Sequence, residues 1–483
     1  MASEGFAHRL PAEIWGDIFY ACAEDQDESL SDATSPQDEL ERLAKRYILR
    51  VSQVCSYWHR IALGTPALWC SIVAADTGLW GATGRPEADL LALVSLCLER
   101  SGAHPLQMQV AVEDDADNRS GERLFELLCQ HSERWKSLYL WHNYPDFALL
   151  RSVQGRVPML TALGLSNQHE GWAEDTPVFE VAPRLTAVTL TGMAVQTPTV
   201  PLTQLDVFGF VNLFPDDLVG PLLLMERLDA FDGELCYFQL DLESPDIVLD
   251  ALPAVSSNLS MLQVTLALSL KHNAEPLWER PLLGSTFGAL TLPKLKDLNL
   301  IGGTAYRSMR WDHEHFLAFV QRSMLHNTLT TLELNRILIT DAQLIECLEL
   351  TPAVTKLALA DCAPEHKAVA TDTLLRRLCG GPELGAQLLP GLDFLSLSTL
   401  LEFSDPVLLE LIESRTRKRA ARDYFELMVY WLPTRVRLTL SPTLRARAHE
   451  LEDAEVLCFT ACRDPENHSV WSYARAESLW SRS

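Results

Sequence analysis

The groups of side chains most suggestive of chemistry in this sequence each lack a partner that the chemistry needs. His313-Glu314-His315 is the densest set of potential metal ligands, but a helix would turn its two histidines to different faces. Glu113-Asp114-Asp115-x-Asp117 resembles a calcium loop, yet Ser120 stands where the sharp turn requires glycine. No Gly-rich phosphate loop, G-x-S-x-G turn or H-E-x-x-H pair is present. The sequence therefore predicts a protein that is not an enzyme and holds neither a metal nor a cofactor.

Composition and charge narrow the class of protein further. The chain has 483 residues, of which 47% are hydrophobic, as is typical of a folded protein with a large core. Its formal net charge of −25 argues against nucleic acid as a partner, because neutralising phosphates requires clustered Lys and Arg. The 11 cysteines form no C-x-x-C pair, and neither a signal-peptide pattern nor a long apolar run is recognisable. These features predict a cytoplasmic or nuclear protein without a membrane partner.

Two stretches near the N-terminus combine helical spacing with much apolar surface. In the first, residues 10–19, Pro11 suits a first helical position, and Ile14 and Ile18 share one face. In the second, residues 51–69, apolar residues again recur at helical spacing. A helical unit of this size has more apolar surface than it can bury by itself, which predicts a protein partner.

The same two stretches resemble an F-box, in particular the divergent F-box-like domains of large fungal families. The residues that carry the resemblance are Leu10-Pro11, Glu13-Ile14, Ile18-Phe19, Val54-Cys55-x-x-Trp58-His59 and Leu68-Trp69. The resemblance implies a three-helix domain at 1–75 that binds the Skp-family linker protein of an SCF (cullin–RING) ubiquitin ligase. An acidic insert at about 24–41 separates the two halves. Such an insert is tolerable, because loop closure costs only ~0.6 kcal/mol for each doubling of loop length.

The expected linker-binding residues are Leu10, Pro11, Ile14, Ile18, Phe19, Val54 and Trp58. Burial of their apolar side chains by the linker would supply the binding energy. For several of them, and for Trp58 in particular, packing inside the domain is the open alternative.

After a predicted connecting stretch at 71–85, a helix at 88–100 and a strand at 106–112, a loose L-x-x-L-x-L pattern takes over. Its units begin at Trp135, Leu160, Leu185, Leu202, Leu259, Leu295, Leu329, Val354 and Leu392. The leucines of such a strand point to one side, and no unit buries them alone, so neighbouring units must stack. The pattern resembles a leucine-rich-repeat solenoid, which implies an α/β horseshoe at 76–440 with parallel strands on its concave face. A polar helical stretch at 441–483 is predicted to cap it.

Residues between the leucines of each strand should face outward on the concave side. Aromatic residues are enriched among those that carry binding energy, and charged ones tune specificity. The expected substrate-binding set is Tyr139, Trp141, Phe208, Asp297, Glu333 and Phe394.

Two functions fit these features. The first is a non-catalytic substrate-recognition adaptor of an SCF ligase, in which the F-box-like domain binds the linker and the repeats bind an unknown protein substrate. The alternative is a leucine-rich-repeat interaction scaffold that is not coupled to ubiquitination.

Overall fold

The structure is a computed structural model that describes most of the chain. The described residues are 10–28, 47–76, 87–112, 120–142, 148–167, 177–192, 200–212, 219–241, 252–265, 282–302, 309–361, 368–381, 386–399, 403–417, 419–420, 423–431 and 441–463. The chain divides into two compact units, one built mainly from Met1–Val211 and the other mainly from Leu235–Val470. Most of the predicted acidic insert, from residue 29, lies outside the described residues.

The described α-helices comprise three at the N-terminus and nine farther along the chain, most of them between strands. They are α1 Ala12–Glu28, α2 Tyr47–Ser52, α3 Ser56–Gly64, α4 Glu87–Arg100, α5 Ser120–Cys129, α6 Val219–Arg227, α7 Leu282–Ala289, α8 His313–Arg322, α9 Asp341–Leu350, α10 Asp372–Cys379, α11 Asp405–Thr416 and α12 Pro442–Asp453. Short 3-10 turns lie between several of them.

Parallel strands make up the rest of the regular structure. They are β1 Ser71–Asp76, β2 Leu106–Val112, β3 Trp135–His142, β4 Ala162–Asn167, β5 Ala187–Thr191, β6 Val207–Asn212, β7 Leu235–Asp241, β8 Val255–Ser256, β9 Met261–Thr265, β10 Leu290–Thr291, β11 Asp297–Ile301, β12 Met309–Arg310, β13 Thr331–Asn335, β14 Ile337–Leu338, β15 Lys356–Ala360, β16 Phe394–Thr399, β17 Phe425–Trp431 and β18 Leu457–Arg463.

In the first unit, the three N-terminal helices are followed by strands β1 to β6, which pair in parallel in sequence order. The pairing register aligns one apolar residue from each strand into a row on the buried side of the sheet. This row is Ile72, Met108, Leu138, Leu163, Val188 and Phe208. The helical N-terminus and the parallel sheet that follows it are therefore as predicted.

In the second unit, strands β7, β9, β11, β13, β15, β16, β17 and β18 pair in parallel in that order. The register again aligns an apolar row, whose members on the consecutive strands from β7 to β17 are Phe238, Leu262, Leu298, Leu332, Leu357, Leu395 and Leu427. Helices that follow the strands supply further leucines to the same core, as Leu374, Leu375 and Leu378 of α10 do. The assignment of these units to the leucine-rich-repeat class remains a prediction from the sequence.

Side-chain caps explain where several helices of the second unit begin. The Thr340 hydroxyl accepts from the backbone N–H of Gln343, whose side chain in turn accepts from the Thr340 N–H, so α9 starts with a capping box. Thr371 caps α10 in the same way by accepting from the Leu374 N–H. These bonds satisfy N–H groups that have no partner within the helix, which sharpens the helix starts.

A buried arginine fastens α11 to its neighbours. Arg415 of α11 donates to the carbonyl oxygens of Leu378 at 2.6 Å, Leu388 at 2.8 Å and Leu389 at 2.6 Å. Leu378 lies in the last turn of α10, and Leu388 and Leu389 lie in the connection before β16. Burial lowers the pKa of Arg415 to about 10, so the side chain remains cationic at neutral pH.

Three expectations need correction. The predicted connection at 71–85 begins with strand β1, because Ile72 and Ala74 bury their side chains beside β2. The predicted helical cap at 441–483 contains helix α12 followed by strand β18, which pairs with β17 and so continues the sheet. Strands β7 and β17 were absent from the predicted set. Strand β7 does carry the spacing, as Leu235, Phe238 and Leu240, and was missed, whereas Tyr424 stands in place of the leading leucine of β17.

Candidate functional site

Helix α1 exposes an apolar stripe. Ile14 and Ile18, one helical turn apart, are 44% and 37% exposed, although isoleucine is one of the residue types most often buried. Leu10 and Pro11, just before the helix, are exposed as well. These four residues form the linker-binding candidates at the start of the domain, and the structure leaves all of them accessible.

The adjoining side of α1 packs in an aromatic cluster. Phe19 is only 1% exposed and lies 5.0 Å from the ring of Trp58, with Trp15 4.9 Å from Trp58 and 5.7 Å from Phe19. The prediction that Phe19 faces the linker is therefore wrong, because this residue holds α1 against α3. Trp58 is half-buried in the same cluster, so the alternative of internal packing applies to it as well.

Polar contacts position the exposed residues around this cluster. The Tyr57 hydroxyl of α3 donates to the Leu10 carbonyl at 3.0 Å, which fixes the chain just before α1. Val54 is 62% exposed and directly precedes Cys55, whose sulfur accepts from the Trp58 N–H and caps α3. The candidates Leu10 and Val54 thus lie just before α1 and α3, the two helices that pack together through the aromatic cluster.

The end of the domain is anchored by Trp69. Its indole N–H donates to the Ala62 carbonyl at 2.7 Å, and the Arg100 guanidinium of α4 lies 4.7 Å from the centre of its ring. Trp69 is almost completely buried. The residue therefore stabilises the domain from within, which explains its place in the motif without any contact to a partner.

The outward face of the first unit, defined as the sheet face opposite the apolar row, carries Tyr139 and Trp141 as predicted. Both are half-buried, and the register places Gly164 and Ser166 of β4 beside them. Phe208 was predicted on this face and is not there. It is fully buried, because it pairs with Val188 in the apolar row, so its neighbours Val207 and Gly209 face outward instead. A role for Tyr139 and Trp141 in substrate binding remains a prediction.

On the outward face of the second unit, Asp297, Glu333 and Phe394 all occupy predicted positions. Asp297 and Phe394 lie in one row, and Glu333 lies in the next row along the strands. Asp297 is half-buried, whereas Phe394 and Glu333 are buried. The sequence placed these residues on the correct face but gave no sign of their burial.

Glu333 sits among polar side chains that sequence reasoning missed. Gln263 of β9, Asn299 of β11 and Glu333 of β13 stand side by side, and Asn335 follows two residues later on β13. All four are almost completely buried. A signal was present, since Gln263, Asn299 and Glu333 each separate two apolar residues in consecutive units. We call these four residues the acceptor row.

Burial raises the pKa of Glu333 from 4.5 to about 7, and a side-chain hydrogen bond from Asn335 limits the rise. At a pH between 4.5 and about 7, Glu333 of the folded protein therefore keeps a proton that it releases in the unfolded chain. We therefore expect the free energy of unfolding to fall by about 1–3 kcal/mol as the pH rises through this window. Urea unfolding at several pH values measures it. The difference between wild type and Glu333→Gln should change with pH, while Glu314→Gln, at an exposed helix position, should follow wild type; parallel profiles for wild type and Glu333→Gln would contradict the expectation.

No helix among the described residues is long and apolar enough to span a membrane. Within the same residues, no three His, Cys, Asp or Glu side chains are grouped as a metal site. His313 instead bonds Glu346 at 2.8 Å, and His315 bonds Asp312 at 2.9 Å.

Comparison with known proteins bears on the N-terminal helices. No curated protein matches the sequence of this chain. The family described as F-box-like matches residues 7–75, which include α1, α2, α3 and the exposed stripe of Ile14 and Ile18. The chain therefore carries an F-box-like domain at residues 7–75.

Proposed function

We propose that this protein is the substrate-recognition adaptor of an SCF ubiquitin ligase. Its F-box-like domain binds a Skp-family linker, and its parallel-strand region binds the protein that is to be ubiquitinated. The chain contributes no catalytic residue, acts in the cytoplasm or nucleus, and accelerates ubiquitin transfer by proximity alone.

The observation that carries this proposal is the exposed apolar stripe on the F-box-like domain. F-box domains in general bind Skp-type linkers. Ile14 and Ile18 remain accessible, while Phe19 and Trp69 of the same domain are buried. A folded domain that keeps two isoleucines in water on one helix face is suited to burying them against another protein.

The parallel-strand region supports the second half of the proposal. Within each unit, the outward residues of successive strands lie on one face of a parallel sheet and could bind a substrate there, as the strands of a leucine-rich-repeat solenoid do. Tyr139 and Trp141 provide aromatic contact area on the outward face of the first unit, and Asp297 provides charge on that of the second.

The alternative is an interaction scaffold that binds partners without a ligase. A scaffold would bind its partner through the same surface as the adaptor, but the linker-bound chain would not recruit a cullin. The two functions are therefore separated by cullin recruitment, not by substrate binding.

Reconstitution with purified components tests the proposal. The full chain is mixed with a Skp-family linker, then with a cullin–RING pair and the ubiquitin-activating and ubiquitin-conjugating enzymes. We expect a stoichiometric complex on size-exclusion chromatography and ubiquitin attached to the chain itself or to its bound partner. Linker binding without cullin recruitment would support the scaffold, and absence of linker binding would refute both the adaptor and the assigned binding face.

A further inference from the structure

The acceptor row of the second unit contains oxygen atoms that the fold leaves unsatisfied. Buried and without a hydrogen-bond partner are Gln263 Oε1, Asn299 Oδ1, Glu333 Oε2 and Asn335 Oδ1. Buried polar groups in proteins are nearly always hydrogen-bonded, and leaving one unpaired is costly. Four such atoms on three adjacent strands are therefore unusual, and a ligand that supplies donors would satisfy them together.

The spacing of the row limits the chemistry of that ligand. Gln263, Asn299 and Glu333 occupy paired positions on β9, β11 and β13, and neighbouring strands of a sheet lie about 4.8 Å apart. All four free atoms are acceptors, and one belongs to a carboxyl group. The group that matches them best presents several hydrogen-bond donors at once and carries a positive charge when the carboxyl is ionised.

An arginine side chain meets these requirements best. Its planar guanidinium has five N–H donors in a fixed fork, so one group can bond several oxygens, whereas a lysine ammonium has three donors. Its long apolar stem holds the charged end well away from the peptide backbone that carries it. A water molecule can donate only two bonds, fewer than the four free oxygen atoms.

We propose that the acceptor row is the specificity site for an arginine side chain of the protein substrate, held by Gln263, Asn299, Glu333 and Asn335. This inference rests on the proposed function, because it names the class of segment that the adaptor recognises: a basic peptide with an exposed arginine. The excess of acidic residues over basic ones in the whole chain, a net charge of −25, favours the approach of such a segment.

Other charged groups lie on or next to the strands of this sheet. On the flanking strands these are Asp297 of β11 and Lys356 of β15, each one row away along the strands, with Glu426 of β17 farther along that row. Arg336 follows β13 directly, and Asp361 follows β15, where its carboxylate accepts from the Val369 N–H at 2.7 Å. An arginine beside Glu333 favours its ionised form, so binding should release a proton and strengthen as the pH rises toward about 7, and level off above it.

Fluorescence anisotropy with the full chain tests the proposal. The probes are a labelled Gly-Ser peptide that carries arginines, the same peptide with citrulline at those positions, and the lysine version. Citrulline keeps the shape of arginine but loses the charge. We expect the arginine peptide to bind at least about tenfold more tightly than the citrulline peptide, and more tightly at about pH 8 than at about pH 6.

Two variants separate the site from general attraction between opposite charges. Glu333→Gln should weaken binding of the arginine peptide by about tenfold or more, whereas Glu314→Gln, with the same change of charge at an exposed helix position, should leave it within about twofold. Equal binding of the arginine and citrulline peptides, equal effects of the two variants, or no binding of any peptide would overturn the proposal. Linker binding is measured on the same samples. If wild type binds the linker but does not prefer the arginine peptide, only the arginine site is refuted. If wild type does not bind the linker, the proposed function is refuted.

Discussion

Replacing Ile14 and Ile18 together by alanine should weaken binding of a Skp-family linker by about a hundredfold. Full burial of an isoleucine is worth about 1.5–3 kcal/mol, and both side chains are already partly covered, so about 1.5 kcal/mol each is expected. The domain itself should stay folded, because alanine is the best helix former and neither side chain belongs to the core. Isothermal titration of the linker into the full chain measures the loss.

A matched control comes from the same unit. Val181 is also apolar and is 62% exposed, so Val181→Ala should bind the linker as wild type does. A second comparison uses Phe19→Ala, which should reduce linker binding together with the unfolding midpoint, since Phe19 packs on Trp58. Unchanged affinity in the isoleucine double variant, or an equal loss in Val181→Ala, would show that the linker binds elsewhere.

Replacing Arg415 by methionine should lower the free energy of unfolding by about 3–5 kcal/mol. The change leaves three buried carbonyl oxygens without the donors that now reach them, and methionine fills a similar volume, so the loss reflects hydrogen bonding more than a cavity. The effect should centre on α10 and α11 and the connection before β16. Urea unfolding followed by circular dichroism measures the stability, and hydrogen exchange locates the effect.

Arg376→Met is the control for this experiment. Arg376 is an exposed residue of α10 that pairs with Asp372 at 3.9 Å, and exposed pairs of this kind are worth at most about 1 kcal/mol. Similar losses in the two variants would mean that the carbonyl contacts of Arg415 contribute little to stability. Linker binding should be unaffected in both variants, since neither residue belongs to the F-box-like domain.

Local sequence patterns were sufficient to predict a helix or strand wherever the segment itself contained the spacing or cap that defines it. Helices α9 and α10 show this, because each begins at a Thr cap and has apolar residues at helical spacing. Strand β2 was likewise predicted at Leu106–Val112 from its alternation. The exposed stripe of α1 followed from the same reasoning, since Ile14 and Ile18 are one turn apart.

Local patterns did not determine the face on which a side chain lies where the start of a strand was ambiguous. Phe208 was assigned to the outward face because the repeat pattern was taken to start at Leu202. In the structure Leu202–Gln204 form a short 3-10 turn, and the strand begins at Val207. A shift of one residue moves every side chain of a strand to the other face, and only pairing with β5 decides the register.

The sequence by itself determined that this chain has a helical N-terminal domain with an apolar surplus, followed by strands that must stack to bury their leucines. Those properties depend on the spacing of apolar residues within short segments, and this spacing is present in the sequence whatever the tertiary contacts are. Only the tertiary structure decided that Phe19 and Trp58 hold the domain together while Ile14 and Ile18 remain exposed, and that Gln263, Asn299 and Glu333 meet in one buried row. Burial and pairing depend on residues distant in sequence, so the same side chain binds a partner or supports the core according to what packs against it.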